Sequence, residues 1–376
     1  MRTRLQNRLD LDGSDEPWWE EEEEPEEESS TLFRDLRGTP RRLGPILFSG
    51  GEGVVRAVAD DPGKLVKTYH RRILENEERT GSIQSKIRAM LKMNDMRADL
   101  RFGWPQAPVF DERGNWAGYA MRRCPGIVLH NLCAPASIRN AFPKWDRTDL
   151  VKVCLNLVDG LNALHRNGAS IGDVNTGNFL VELDASVSFI DCDSYCVKDA
   201  DGKMRPCDVR TDLFTPPELF GISPREAKRN PSHELFSDAV LFYQVLMLGA
   251  HPYSRRFGED PVTNLRSGQC PLGRGTDCSL PRGRWYNLWS HLTYNLKTLF
   301  VRAFREGHAD PTARPYLREW KQALKQCLFA LEASETSNSS ELDPANSKSD
   351  AYRGTDKGIA AAKRKKESDR AFFRRR

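Results

Sequence analysis

The sequence predicts an α+β chain in which a small, β-rich lobe precedes a larger, mostly helical one. From Leu43 to about Met121, apolar residues come in short runs broken by glycine and polar turns, with one helical stretch among them. From Asp149 onward they recur mostly at helical spacing. Both ends of the 376-residue chain are too charged to join either core.

Residues 1–42 read as a disordered acidic leader, because "EEEEEPEEESS" (Glu20 to Ser30) repels itself and resists burial. "GPILFSGGEGVVRAVAD" then reads as strand, glycine turn and strand, and "KLVKTYH" as a short strand. "RRILENEERTGSIQSKIRAMLKM" has helical periodicity through Ile73, Ile83, Ile87, Met90 and Leu91, with Gly81 as its weak point. "APVFDERGNWAGYAM" reads as a hairpin turning over Asp111 to Asn115. These elements make a first lobe over residues 43–123.

The second lobe covers 124–332. "DLVKVCLNLVDGLNALHRNG" is a helix closed by Gly168. "NFLVELDASVSFID" is a pair of short strands turning near Asp184 to Ser186, and a buried helix follows Ser237. Residues 333–376 read as a disordered linker, rich in Ser, Asn and Asp, with a basic tail beginning "KRKK" at Lys363.

Net charge is only +4, and the hydrophobic fraction of 39% fits a chain whose ends stay unpacked. Nine scattered cysteines without a CxxC pair argue against a zinc site and for a reducing compartment. The N-terminus lacks an apolar signal core, and no apolar run approaches the ~20 residues that a membrane helix needs. A cytoplasmic protein without membrane insertion is expected.

The chemistry gathers in "GDVNTGNFLV" and "FIDCDSY". Asp173 and Asn178 stand on one loop, and Asp191 follows the second strand of the hairpin. A hairpin brings its ends together, so three oxygen-bearing side chains can converge. Hard oxygens of this kind suit Mg²⁺ when phosphate oxygens complete its shell. Each residue alone is equally a turn former. In the first lobe, the glycines of "GGEGVV" admit backbone N–H groups close to phosphate, and Lys67 sits mid-strand in "LVKTY". A glycine-rich hairpin turn and an outward-facing Lys are the bland alternatives.

Together and in this order, "GGEGVV", "LVK", "GDVNTGN" and "DCD" resemble the protein kinase superfamily: glycine-rich loop, strand Lys, catalytic loop and metal-binding motif. "TPPEL" (Thr215 to Leu219) matches its A-P-E motif, Asp238 the Asp that opens its buried central helix, and Arg314 the Arg that pairs with the A-P-E glutamate, here Glu218. The resemblance covers about residues 43–330. Its wording is nearest to the bacterial kinase domain of helix-hairpin-helix DNA-binding proteins with a protein kinase domain. No helix-hairpin-helix pattern follows residue 330, so DNA binding does not carry over.

The resemblance implies a bilobal kinase-like fold and ATP- and Mg-dependent phosphoryl transfer to Ser/Thr of a protein substrate. It implies that Gly50, Gly51, Gly53 and Val55 cover the nucleotide and that Lys67 neutralises its α and β phosphates. Met121 then backs the adenine, with a hinge at Arg122 to Cys124. Asn178 and Asp191 hold Mg²⁺, and Asp173 accepts the proton of the acceptor hydroxyl. For the helix glutamate that meets Lys67, Glu78 and the uncharged Gln84 both stay open.

Four positions depart from the pattern: Phe48 replaces the first loop glycine, Gly172 the Arg before the catalytic Asp, Asn175 a Lys, and Cys192 the Phe after Asp191. Without that Arg, the segment from Cys192 to Thr215 should be ordered by its own packing, independently of phosphorylation. Should activity nonetheless depend on phosphorylation there, Arg205 and Arg210 are the first places to look for a replacement cation. A nucleotide-binding pseudokinase and a small-molecule kinase remain as alternatives. The basic tail leaves contact with nucleic acid open, and the sequence is silent on oligomeric state.

Overall fold

Phe33 lies just beyond the acidic block, yet only 5% of it is exposed. It packs with Val58, Val66 and Val109, and Leu43 and Ala120 close over this cluster. Burying such a ring contributes about 1.5–3 kcal/mol, enough to recruit a strand from a segment expected to be disordered. The computed structural model describes residues 32–227, 229–255, 260–273, 275–333 and 340–353; the acidic block at 20–30 and the basic run from Lys363 lie outside them.

The chain divides into two compact units. The first comprises, among the described residues, 32–97, 104–123 and Asp260. Its strands are β1 (Leu32–Arg34), β2 (Pro40–Ser49), β3 (Gly53–Val58), β4 (Asp61–Tyr69), β5 (Pro105–Phe110) and β6 (Trp116–Arg122). They form a closed antiparallel barrel in the order β1-β2-β3-β4-β6-β5, where the sequence suggested an open β-rich lobe starting at Leu43. β1 makes the difference, pairing Phe33 with Arg41 on one side and Arg34 with Phe110 on the other.

The helical stretch after β4 breaks at Asn76, not Gly81. α1 (Arg71–Leu74) ends there, and the Asn76 side chain caps α2 (Glu77–Leu91) by accepting the Arg79 N–H at 3.0 Å. α3 (Asn94–Ala98) follows. The fully buried Trp104 fastens α2 to the barrel by donating its indole N–H to Met90 O at 3.0 Å. The chain leaves this unit between Arg123 and Cys124, within the stretch expected to form a hinge.

The second unit holds 98–103, 124–255 and 261–353, less the undescribed residues. Its elements are β7 (Ile127–Val128), α4 (Pro135–Ala141), α5 (Arg147–Arg166), β8 (Ala169–Ser170), β9 (Phe179–Val181), β10 (Val187–Phe189), β11 (Cys196–Lys198), β12 (Met204–Arg205), α6 (Pro231–Leu246), α7 (Pro261–Arg266), α8 (Arg284–His291), α9 (Tyr294–Val301), α10 (Gly307–Ala309), α11 (Leu317–Glu332) and α12 (Lys348–Arg353). α6 is buried on every side, as its unbroken apolar run requires. Asn230 caps it, and Pro231 occupies its first turn. Trp320 of α11 meets Phe242 of α6 edge-on at 5.5 Å and Phe300 of α9 at 4.8 Å. The mixed α+β class is as expected.

The polar stretch at 340–353 is built into this unit, against the expectation of a disordered linker. Leu342 and Ser347 are buried. Asn287 Nδ2 donates to Ala345 O at 2.8 Å, His291 Nε2 to Asn346 O at 2.9 Å, and the Arg147 N–H to Ser340 O at 3.0 Å. Side chains of α8 satisfy its carbonyls, so polar composition was no bar to packing.

Arg314 pairs with Glu218 as expected. Its two terminal nitrogens meet the two carboxylate oxygens at 2.6 and 2.8 Å. Gly307 O and Ser232 O accept further bonds, at 2.8 and 2.9 Å. Gly307 has to be glycine, because a Cβ there would stand 2.7 Å from Arg314 Cγ. Burial raises the Glu218 pKa, but the Arg314 bonds outweigh it and hold the carboxyl below its ordinary value. Removing one partner of such a pair costs on the order of 3–5 kcal/mol. Arg314→Ala should therefore lower the melting temperature strongly, and Arg314→Lys should recover only part of the loss because it cannot bond bidentately. A thermal melt unchanged in both would refute this.

Candidate functional site

The loop between β8 and β9 carries Asp173, Asn175 and Asn178, and its shape starts at Gly172. That residue has φ +75°, and a Cβ on it would lie 2.6 Å from the Cys207 Cβ and 3.1 Å from the Cys196 Sγ. Position 172 thus has neither the backbone nor the room for the Arg of the kinase pattern. Arg229 serves the loop instead, donating to Gly172 O and, at 3.0 Å, to Val209 O. Neither expected substitute does this: Arg205 is paired with Asp199 at 3.0 Å, and Arg210 donates to Leu219 O and Ile222 O at 2.6 and 2.7 Å.

The Asp173 carboxylate is held at both oxygens. Thr211 Oγ1 donates to Oδ1 at 3.0 Å, and Asn175 Nδ2 donates to Oδ2 at 3.1 Å. Burial raises the Asp173 pKa, against the lowering effect of Thr211 and the Arg229 charge. Asn178 Nδ2 donates to Asp173 O at 3.0 Å, and Asn178 O accepts the Ile190 N–H at 3.0 Å. Phe179 faces Phe189 across the β9–β10 pair, so Asn178 stands opposite Ile190 and Asp191 comes next. The hairpin thus brings Asp173, Asn178 and Asp191 to one end, as the spacing predicted.

Asp191 has φ 54° and ψ 39°, a left-handed setting that is uncommon for a side-chain-bearing residue. Ser194 pins it there, donating its N–H and hydroxyl to Asp191 O at 3.1 and 2.8 Å. The fully buried Tyr195 donates to Ile190 O at 3.3 Å. Cys192 fills the place of the pattern's Phe, fully buried, with its Sγ 3.5 Å from Phe189 O. The segment from Cys192 to Thr215 has its own framework: β11 pairs with β8 and β12, and Thr215 Oγ1 donates to Thr211 O at 2.9 Å.

Among the described residues no group of three or more His, Cys, Asp or Glu is placed to hold a metal. Asp191 and Asn178 supply one carboxylate and one amide oxygen. That donor set fits Mg²⁺, which usually keeps waters and phosphate oxygens and rarely sits in an all-protein cage.

Beneath the loop, Glu234 Oε1 accepts the Ile171 N–H at 2.9 Å, and Glu234 Oε2 lies 3.3 Å from His165 Nε2. This corrects the sequence expectation twice. α6 opens at Pro231, and the residue that reaches the loop is Glu234, one turn before Asp238. Asp238 is fully buried, and neither carboxyl oxygen has a hydrogen-bond partner. Burial, with the nearby Glu234 charge, drives its pKa well up.

In the first unit, Val55 pairs with Lys67, and Lys67 with Tyr119, across β3, β4 and β6. Lys67 is 7% exposed, which excludes the outward-facing alternative. Its Nζ lies 5.7 Å from the centre of the Tyr69 ring. Met121 is buried and pairs with Leu65. Gly50 and Gly51 form the turn before β3, and Gly53 has no room for a side chain, because a Cβ would overlap Thr68 O. Glu78 is exposed on α2, and Gln84 accepts from Arg88 at 3.4 Å.

Thr211, Arg229, Glu234 and Ser194 were not foreseen as site residues. Thr211 and Ser194 were two of four hydroxyls in their segment, and nothing in the local sequence distinguished Arg229 or Glu234.

Two kinase-named proteins resemble the chain over most of its length. One, named protein kinase YegI, from Escherichia coli strain K12, is 29% identical over 306 residues, covering 77% of this chain and 46% of that protein. The protein of the same name from Escherichia coli O157:H7 is 28% identical over 311 residues, covering 75% and 45%. The chain spans about half the length of these relatives. No protein-family model matches it. The chain is thus similar, over about three quarters of its length, to proteins named protein kinases.

Two predictions follow from the geometry of the loop. Gly172→Ala should destabilise the protein by about 1–3 kcal/mol in urea denaturation, through φ strain and the Cys207 clash. Gly172→Arg should be worse, although it restores the residue of the kinase pattern. The second concerns His165. Burial lowers its pKa, but the Glu234 carboxylate 3.3 Å away outweighs this and raises it above 6.5. The stabilisation is therefore full below the unfolded value and fades as pH rises through the folded one. The melting-temperature difference between wild type and His165→Gln should be largest in mild acid and shrink as the pH rises past the ordinary histidine range. A constant difference would show that the pair does not titrate.

Proposed function

We propose that the chain transfers the γ-phosphoryl group of ATP, with Mg²⁺, to a Ser or Thr hydroxyl on a protein. The observation that carries this is the Asp173 carboxylate, held at both oxygens at the hairpin end where Asn178 and Asp191 also stand. In this mechanism Asp173 orients the acceptor hydroxyl and takes its proton. A carboxylate raised in pKa by burial is a better base than a solvated one. Asn178 and Asp191 would hold the metal, which neutralises phosphate charge when bound. Lys67 contacts the phosphates, Gly50, Gly51, Gly53 and Val55 cover them, and Met121 backs the adenine. Positioning and charge neutralisation supply most of the catalysis.

An aliphatic alcohol as acceptor is supported by Thr211, whose hydroxyl already donates to Asp173 Oδ1 at 3.0 Å. Asn175, in place of the Lys of the pattern, keeps Asp173 oriented but brings no charge to the γ-phosphate. A protein substrate is favoured by the segment at Thr215 to Leu219, which Arg314 anchors through Glu218 as a rigid platform.

The test is label transfer from ATP with Mg²⁺, followed by phosphosite mapping in a lysate. Wild type should label Ser or Thr, whereas Asp173→Ala and Asp191→Asn should lose transfer by 100-fold or more, on the order expected of a positioned base or metal ligand. Retained transfer in Asp191→Asn would refute the metal role. Nucleotide binding without any transfer would instead support a scaffold, and label on a small molecule would redirect the substrate class.

A further inference from the structure

The glycine turn is tied to the segment that follows β4. His70 Nε2 bonds Gly50 O at 2.7 Å, Arg72 donates to Gly51 O, and Arg79 pairs with the Glu52 carboxylate. The His70 N–H adds a bond to Glu52 O at 3.0 Å, and Gly50 N–H to Gly53 O at 3.0 Å closes the turn. Arg79 is itself fixed, because its N–H is held by the Asn76 cap at 3.0 Å. α2 therefore reaches the turn through Arg79, while Glu78, the candidate partner for Lys67, is exposed.

The ties decide which way the peptide planes face. In a trans peptide the C=O and the following N–H point in opposite directions. Holding Gly50 O and Gly51 O against His70 and Arg72 turns the N–H groups of Gly51 and Glu52 the other way. Two neighbouring N–H groups presented together form a cradle for phosphate oxygens. Glycines at 50 and 51 would otherwise let these planes rotate freely.

We propose that His70, Arg72 and the Arg79–Glu52 pair are positioning residues, which hold the Gly51 and Glu52 N–H groups in the orientation that receives the ATP phosphates. This rests on the nucleotide reading above. It has a counter-intuitive consequence. Removing the Glu52 carboxylate beside a triphosphate should, by charge alone, tighten ATP; if Glu52 acts by holding Arg79, its removal weakens ATP instead.

The experiment compares Glu52→Gln, Arg79→Gln and the double variant. Each single change should raise KM for ATP by about fivefold, with kcat within about twofold, and the double variant should be no worse than either single. Without nucleotide, amide hydrogen exchange at Gly51 and Glu52 should quicken in both single variants. KM unchanged or lowered in Glu52→Gln, or losses that add in the double variant, would overturn the proposal. So would a fall in melting temperature with KM and exchange unchanged, since that marks a structural tie alone. If wild type binds no ATP, the nucleotide reading itself fails, and the exchange rates still decide whether the ties hold the turn.

Discussion

The bond from the Ile171 N–H to Glu234 Oε1, at 2.9 Å, is the point from which the Asp173 loop hangs. Glu234 belongs to α6, so the loop is referenced to a helix buried on every side. The second carboxylate oxygen faces His165 near the end of α5, which ties a second helix to the same point. From there the loop is set by bonds to its own backbone: Arg229 on Gly172 O, and Asn178 on Asp173 O. Side chains that grip main-chain atoms place a carboxylate more tightly than side-chain pairs, because they leave no torsion between anchor and loop.

Two positive backbone angles lie at this hub. Gly172 and Asp191 both have positive φ, on the two chain segments that bring Asp173 and Asp191 together. Each is held by neighbours: Cys207 and Cys196 pack where a Gly172 side chain would be, and Ser194 bonds the Asp191 carbonyl. Strain of this kind persists only where the surroundings over-determine it. Asp238 is a different local exception, a fully buried acid one turn from Glu234 whose pKa burial drives well up.

Much of this was legible in the sequence. The hairpin that joins Asn178 to Asp191 came from spacing, and the inward Lys67 and the Glu218–Arg314 pair from the kinase resemblance; the bonds are as expected. The misses have physical causes. Phe33 sits in a stretch whose composition is dominated by charge, and one ring outweighs it once a pocket exists. Asn76 caps a helix more strongly than Gly81 breaks one, so the break moved. The stretch at 340–353 is mostly polar, but its carbonyls meet side chains of α8 that no local pattern reveals.

The sequence by itself placed Asp173, Asn178 and Asp191 at the ends of one hairpin, because turn chemistry and the two periodicities, near 3.6 and 2, are local properties of the chain. It also determined that position 172 carries no cation, since a glycine can supply none. Only the tertiary structure decided what replaces it. Arg229 and Thr211 reach the Asp173 loop from distant stretches, and Arg79 rather than a helix glutamate ties α2 to the glycine turn. Such contacts join residues far apart in the chain through side chains whose directions depend on everything packed around them. That dependence has no local signature, so it emerged only when the chain was folded.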